Sequence, residues 1–237
     1  VFPLIPAAVF DVDGTLCATR STTSLVWLRQ QQHAPWRHVL WLASLTWRAP
    51  GAWVADRISR DLADRLVFGQ FAGLDAQKLR ADAQRCAQSL LLPACFPQAL
   101  AAIAEHRRQG HRIVLLSGGI DWVLQPLADA LGAELLGQRL VVHDGRCTGA
   151  YRRYAVLDDL GDQAARLSQA QAKAEALRRH ALATGLDLSA SVAYGDSVND
   201  ALMLQAVGRA VAVNPDRGLS RVAEDRRWSV QQWALPA

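Results

Sequence analysis

The segment Ala8-Val9-Phe10-Asp11-Val12-Asp13-Gly14-Thr15-Leu16-Cys17 constrains this chain more than any other. Its three leading residues are apolar and strand-prone, and they read as the end of a buried parallel strand. Two carboxylates follow, one residue apart, and then a Gly-Thr turn. In a continuing strand Asp11 and Asp13 would share a face. At a strand end the turn can splay them instead, one below and one above a common ligand. Open parallel sheets hold their ligands at the carboxyl ends of strands, which is where this pair sits. Adjacent carboxylates repel unless a cation or a proton holds them, so the pair asks for a metal or a shared proton. An Asp-x-Asp-Gly is also a good turn on its own, and the rest of the chain decides between the two.

Strand-like and helix-like segments alternate through most of that remainder. Residues 98–109 read as a helix ending at Gly110, a good C-terminal cap. Residues 111–116 are a second buried strand, running straight into Ser117-Gly118-Gly119. A helix over 122–131 ends at Gly132. Residues 139–149 have the pattern of a β-hairpin with Asp144-Gly145 at its turn. An Ala-rich helix over 168–184 carries Lys173. A short strand at 191–194 precedes Gly195-Asp196-Ser197-Val198-Asn199-Asp200, and 210–213 form a last core strand. Such alternation predicts a parallel sheet covered on both faces. Three strands thus end in polar clusters: Asp11 with Asp13, Ser117-Gly118-Gly119, and Asp196 with Asn199 and Asp200.

The stretch from about 18 to 94 differs, because no convincing strand occurs in it. Helices are predicted over 19–32 (capped by Ser21 or Thr22), 55–71 and 75–92, with Pro93 and Pro97 marking the return to the main body. Five of the eight tryptophans fall between Trp27 and Trp53. The apolar run before Pro50-Gly51, about a dozen residues, is too short to span a bilayer. Its aromatics either fill the core of a helical cap or form an apolar entrance or interfacial surface for an amphiphilic phosphate, with peripheral membrane or lipid contact.

Length and composition fit this division. A chain of 237 residues, 51% hydrophobic and 20% charged, suits one α/β domain with an insertion, or two small domains. The net charge of +4 is carried almost wholly by arginine, since Lys78 and Lys173 are the only lysines. Arg107-Arg108, Arg152-Arg153, Arg178-Arg179 and Arg226-Arg227 are scattered pairs, not a run that tracks a nucleic-acid backbone. No nucleic-acid partner is expected, while a modest positive field favours an anionic substrate. Cys17, Cys86, Cys95 and Cys147 form no C-x-x-C pair, which argues against zinc and points to a reducing cytosol. No signal-peptide pattern opens the chain, so a cytoplasmic location is the expectation. His33, His38, His106, His111, His143 and His180 show no ligand spacing and read as ordinary surface or cap residues.

The Asp-x-Asp-Gly-Thr strand end, Ser117, Lys173 and the Gly-Asp-x-x-Asn-Asp run, in this order, resemble the haloacid dehalogenase-like hydrolase superfamily. The insertion after the first motif, the Ser-Gly-Gly form of the second and the hairpin before the lysine resemble its phosphoserine-phosphatase-like branch. The resemblance covers essentially the whole chain. It implies a doubly wound, Rossmann-like parallel sheet (1–17 and 95–237), an inserted all-helical cap (18–94) that determines substrate choice, and a small β-hairpin flap. It also implies a Mg²⁺-dependent phosphatase for a small-molecule phosphomonoester. Asp11 would be the nucleophile forming an aspartyl-phosphate, and Asp13 would protonate the leaving oxygen and later activate water. Mg²⁺ would be held by Asp11, the Asp13 carbonyl and Asp196. Ser117, Gly118 and Gly119 would bind phosphoryl oxygens with Lys173, and Asn199 would contact phosphate or substrate. Asp200 would position Lys173, with Thr15 supporting the site. The dehalogenase members lack an acid two residues after the nucleophile, so Asp13 disfavours dehalogenation.

Two departures bear on the substrate. Phosphoserine phosphatases carry a Glu nine residues after the nucleophile to pair with the substrate ammonium, whereas Arg20 stands here. A guanidinium prefers carboxylate, phosphate or an aromatic face, so phosphoserine is not the expected substrate. Arg65 either binds a substrate carboxylate or pairs structurally with Asp61 or Asp64. The Trp-rich cap is the second departure. Transfer to an acceptor other than water, or a phosphate-ligand sensor without turnover, are the alternatives to hydrolysis.

Overall fold

The computed structural model describes residues 4–32, 43 and 60–236. The expectations for the Trp-rich run and for 55–59 therefore fall, apart from Ala43, outside the described residues.

Seven strands form one sheet: β1 (Ile5–Phe10), β2 (Arg112–Ile120), β3 (Glu134–His143), β4 (Arg146–Arg152), β5 (Leu186–Gly195), β6 (Arg209–Val213) and β7 (Ser229–Gln231). Their spatial order is β4-β3-β2-β1-β5-β6-β7. Every neighbouring pair is parallel except β3 and β4. The chain winds outward from β1 to β2 and β3, then returns to the other side of β1 with β5. The strand order thus reverses at β1, and a ligand crevice opens beyond its carboxyl end.

Alternation along the central strands feeds two cores. Ala8 and Phe10 of β1 face one layer with Ile113, Leu115, Val192 and Tyr194, closed by Phe96, Ala99 and Ile103. The last two of these lie on α4 (Pro97–Arg108), and Leu124 and Leu127 of α5 (Asp121–Ala130) join them. Ala7 and Val9 face the opposite layer with Val114, Leu116 and Ala193, covered by Ala172, Ala176 and Leu177 of α7 (Gln169–Thr184). A short α6 (Asp162–Arg166) precedes α7, and α8 (Ala201–Gln205) and α9 (Arg217–Arg226) complete that side. Full burial of both faces is why β1 and β2 read as unbroken apolar runs.

Helices between β1 and β2 share a third cluster with the ends of β2 and β3, α5 and the hairpin. Leu25 and Leu28 of α1 (Ser21–Gln32), Phe68 of α2 (Arg60–Gly69) and Leu79 and Cys86 of α3 (Ala76–Cys86) pack with Ile120, Val123, Leu140 and Cys147. The hairpin is continuous with the sheet through β3 and grips these helices: Gly73 N donates to Cys147 O at 2.8 Å and Cys147 N to Leu74 O at 2.9 Å. Asp144 and Gly145 take φ of 48° and 72° at its turn, as the Asp-Gly pair predicts. The α3 helix runs on through a π turn (Ala87–Leu91) and a 3₁₀ turn (Leu92–Ala94) before the chain re-enters the sheet region. Outgoing and returning strands meet there. Ala18 N donates to Ala94 O, Phe96 N to Leu16 O, and the Cys17 and Cys95 sulfurs lie 3.1 Å apart.

Three expectations are revised, and one strand is added. β5 starts at Leu186 rather than 191, because Asp187 Oδ1 takes Ser189 N, Ser189 Oγ and Ala190 N in a local kink that breaks the apolar run. β6 is the last core strand; β7 pairs outside it as an edge, its residues all exposed and so without apolar alternation. β2 continues through Ser117-Gly118-Gly119 to Ile120 instead of ending before them. His106 is neither a surface nor a cap residue. It is 3% exposed on α4, with Nε2 at 2.8 Å from Tyr194 Oη and Nδ1 at 3.0 Å from His111 Nδ1.

Candidate active site

The carboxyl end of β1 delivers Asp11, whose N–H still bonds Tyr194 O of β5 at 3.0 Å. The next residues coil tightly: Leu16 N and Cys17 N both donate to Val12 O, and Gly14 N donates to Cys17 O. Gly14 has φ +85°, and a Cβ there would stand 2.3 Å from Asp196 Oδ2. Only glycine lets this turn press against the β5 loop.

Helix α7 supplies Lys173. Ser168 caps it through a reciprocal pair with Gln171, and its axis carries Lys173, 4% exposed, under the strand ends. Lys173 Nζ bonds Asp11 Oδ1 and, at 2.5 Å, Asp200 Oδ1. Asp200 is held in turn, its Oδ2 accepting Ser197 N at 3.1 Å and Ser197 Oγ at 3.0 Å. Thr15 Oγ1 donates to Asp196 Oδ1 at 3.4 Å. The sequence clusters from β1, β5 and α7 therefore meet in one place. Ser117 is wholly buried, its Oγ accepting Gly119 N at 3.0 Å, and Gly118 beside it is partly open.

Carboxylate oxygens of Asp11, Asp196 and Asp200 lie within 4.8 Å of one another. Burial pushes the Asp11 carboxyl well above its ordinary range, with Lys173 opposing and Asp200 and Asp196 reinforcing it. Burial and the Asp200 charge push Asp196 up to about 7. Burial also works against the Lys173 ammonium, yet Asp11 and Asp200 outweigh it and hold the amine charged. Three carboxyl groups against one ammonium ask for a proton or a cation, and their hard oxygen donors fit a Mg²⁺ ion. Both Asp200 oxygens are engaged by Lys173 and Ser197, which leaves Asp11 and Asp196 as the side chains to hold the ion.

Other expected residues are spread more widely. Asp13 is half-buried and bridges through its backbone to Cys17. Asn199 is half-buried in the 3₁₀ turn Val198–Asp200. Arg20 is exposed just before α1, and among the described residues no ion pair joins it to the carboxylates. Arg65 is exposed on α2. Several polar residues around the site have no counterpart in the sequence reading. Asp216 takes Val198 N at 3.1 Å and Leu219 N at 2.7 Å, while its own N–H bonds Asp196 O at 2.7 Å, which shapes the Asp196 loop. Tyr154 is fully buried in electrostatic reach of Lys173 and Asp11, and burial pushes its phenol above the ordinary value. Gln138 and Gln169 are buried beside Gly118. None of these lies in a run whose spacing marks it.

A profile of haloacid dehalogenase-like hydrolases matches residues 8–205, and the chain belongs to that family. A Mycobacterium tuberculosis protein named "Probable phosphatase" is 31% identical over 234 residues, 97% of this chain and 76% of the relative. A Streptomyces azureus protein named "Inhibition of morphological differentiation protein" is 31% identical over 235 residues, 97% and 79% of the two chains. A Bordetella pertussis structure of unknown function superposes with a TM-score of 0.74 at 24% identity, covering 96% of this chain and 98% of that one. A phosphoserine phosphatase solved as a phospho-aspartyl intermediate analogue gives 0.64 at 19% identity, over 97% and 93%. These two structures establish the shared fold.

Proposed function

We propose that the chain is a Mg²⁺-dependent phosphomonoesterase that works through an aspartyl-phosphate on Asp11. The observation that carries this reading is the buried Asp11–Lys173–Asp200 chain beside Asp196 at the strand-order reversal. An Asp11 oxygen attacks phosphorus, the P–O bond to the leaving group breaks, and Asp13 gives its proton to the departing alkoxide. Asp13 then takes a proton from water, which attacks the acyl phosphate and releases inorganic phosphate and free Asp11. Asp11, the Asp13 carbonyl and Asp196 would hold Mg²⁺, which lowers the repulsion between phosphate and carboxylate. Lys173 neutralises charge on the phosphoryl group, Asp200 fixes the Lys173 ammonium, and Ser117 with the Gly118 amide binds phosphoryl oxygens.

Residues 18–94 act as the cap over this site, leaving the core at Cys17 and returning at Cys95. The cation Arg20, in place of an acid, favours a substrate without a free ammonium beside the phosphate, and the tryptophans of the cap favour an apolar or amphiphilic one. The test is phosphate release from soluble and lipid phosphomonoesters, phosphoserine included. Release with Mg²⁺ that is strongest on amphiphilic members and weakest on phosphoserine supports the reading. Efficient, saturable phosphoserine hydrolysis overturns the substrate assignment, and no release from any member overturns the reaction.

A further inference from the structure

Helix α7 presents two polar side chains one turn apart to the carboxyl ends of the strands. Lys173 meets Asp11, and Gln169 meets Gly118: a Cβ on Gly118 would stand 2.5 Å from Gln169 Nε2. The orientation of the Gln169 amide is fixed. Its Oε1 accepts Arg153 Nη1 at 2.9 Å and Gln138 Nε2 at 3.1 Å. A guanidinium only donates, so the atom facing Arg153 must be the oxygen and the NH₂ must face Gly118. Gln169 is 7% exposed as a residue, and among the described residues nothing accepts a hydrogen bond from its Nε2, which keeps access to solvent. Gln138, which helps orient it, is wholly buried with an Oε1 that also lacks a partner. An amide nitrogen aimed at Gly118 by two partners on its own oxygen, open to solvent and without an acceptor, is a donor available to an anion.

We infer that Gln169 Nε2 donates a hydrogen bond to the phosphoryl group at the Gly118 side of the site, and that Arg153 and Gln138 are the positioning residues that aim it. The inference rests on the phosphomonoesterase reading. It adds a donor that stands four residues before Lys173 on the same helix.

Two substitutions separate a donor role from a packing role. Gln169→Glu keeps an oxygen for Arg153 and Gln138 and keeps the shape, but replaces the donor with an anion. Gln169→Leu removes donor and acceptor together. The probes are inorganic phosphate with Mg²⁺ in calorimetry and para-nitrophenyl phosphate in turnover. Gln169→Glu should melt no lower than wild type yet bind phosphate about 100-fold more weakly, and Gln169→Leu should lose about 10- to 100-fold in kcat/KM. Gln138→Leu, which leaves Arg153 on Gln169, should show a smaller loss of the same kind. Phosphate affinity and KM unchanged in a folded Gln169→Glu would overturn the assignment of Gln169 while the phosphatase reading stands. A wild-type protein that neither hydrolyses the ester nor binds phosphate overturns both.

Discussion

At the scale of the residue, the site is a concentration of charge that the fold tolerates at a cost. Lys173 is the only cation in contact with Asp11 and Asp200 among the described residues, and all three are at most 6% exposed. Lys173→Met leaves two buried carboxylates unpaired, so it should cost about 3–5 kcal/mol in urea unfolding as well as turnover. Asp196 is the opposite case. Its carboxyl is pushed up to about 7, so the native state holds a proton that the unfolded chain releases near pH 4. In metal-free buffer that contribution is present at low pH and is lost as pH rises through 7. Asp196→Asn should therefore raise the melting midpoint at pH 8 by about 2–4 °C while abolishing turnover. A lower midpoint would show that Asp196 is a structural cap instead. The charged members of the site were legible because Asp11, Asp196 and Asp200 fall in two short runs at strand ends, and because Lys173 stands in a chain with one other lysine. Gln138, Arg153, Tyr154 and Gln169 were not, since each comes from a different segment and no spacing relates them.

At the scale of the element, α4 and β5 meet through His106. Burial and the nearby His111 and Arg209 push its imidazole down to about 4, while Tyr194 Oη, His111 and the Phe10 ring surround it. The folded state then holds a neutral ring where the unfolded chain protonates near pH 6.5. Stability from this contact is complete above pH 6.5 and is lost as pH falls toward 4. His106→Phe should flatten that acid loss, by about 1–2 kcal/mol between pH 7 and 5 in urea titrations. An unchanged pH slope would show that other groups govern acid unfolding. Elements with strong apolar pattern, such as β1, β2 and α7, were readable because burial on both faces or along one stripe imposes it. β7 and the first half of β5 were not. β7 is an exposed three-residue edge, and the start of β5 hides behind the Asp187 kink. The interior position of His106 has no signal in spacing, because its partners lie five and 88 residues away.

At the scale of the whole molecule, the core and the insertion share two crossing points and one hairpin. The Leu16–Ala18 and Ala94–Phe96 segments bond each other, and the β3–β4 hairpin holds the far side of the helices. A ligand that bridges core and insertion should stabilise both together. Beryllofluoride with Mg²⁺ should raise the melting midpoint by several degrees, with a single transition, and Asp11→Asn should remove the shift. Among the described residues no helix is long and apolar enough to cross a membrane. The central claim is that Asp11 carries the phosphoryl group. Its most direct test is rapid quenching of the protein with Mg²⁺ and para-nitrophenyl phosphate, followed by mass spectrometry of its peptides. One phosphoryl group on the peptide holding Asp11, labile to hydroxylamine and missing from Asp11→Asn, is the predicted result. Turnover with the phosphoryl group on another residue, or an Asp11→Asn protein as active as wild type, would contradict the account.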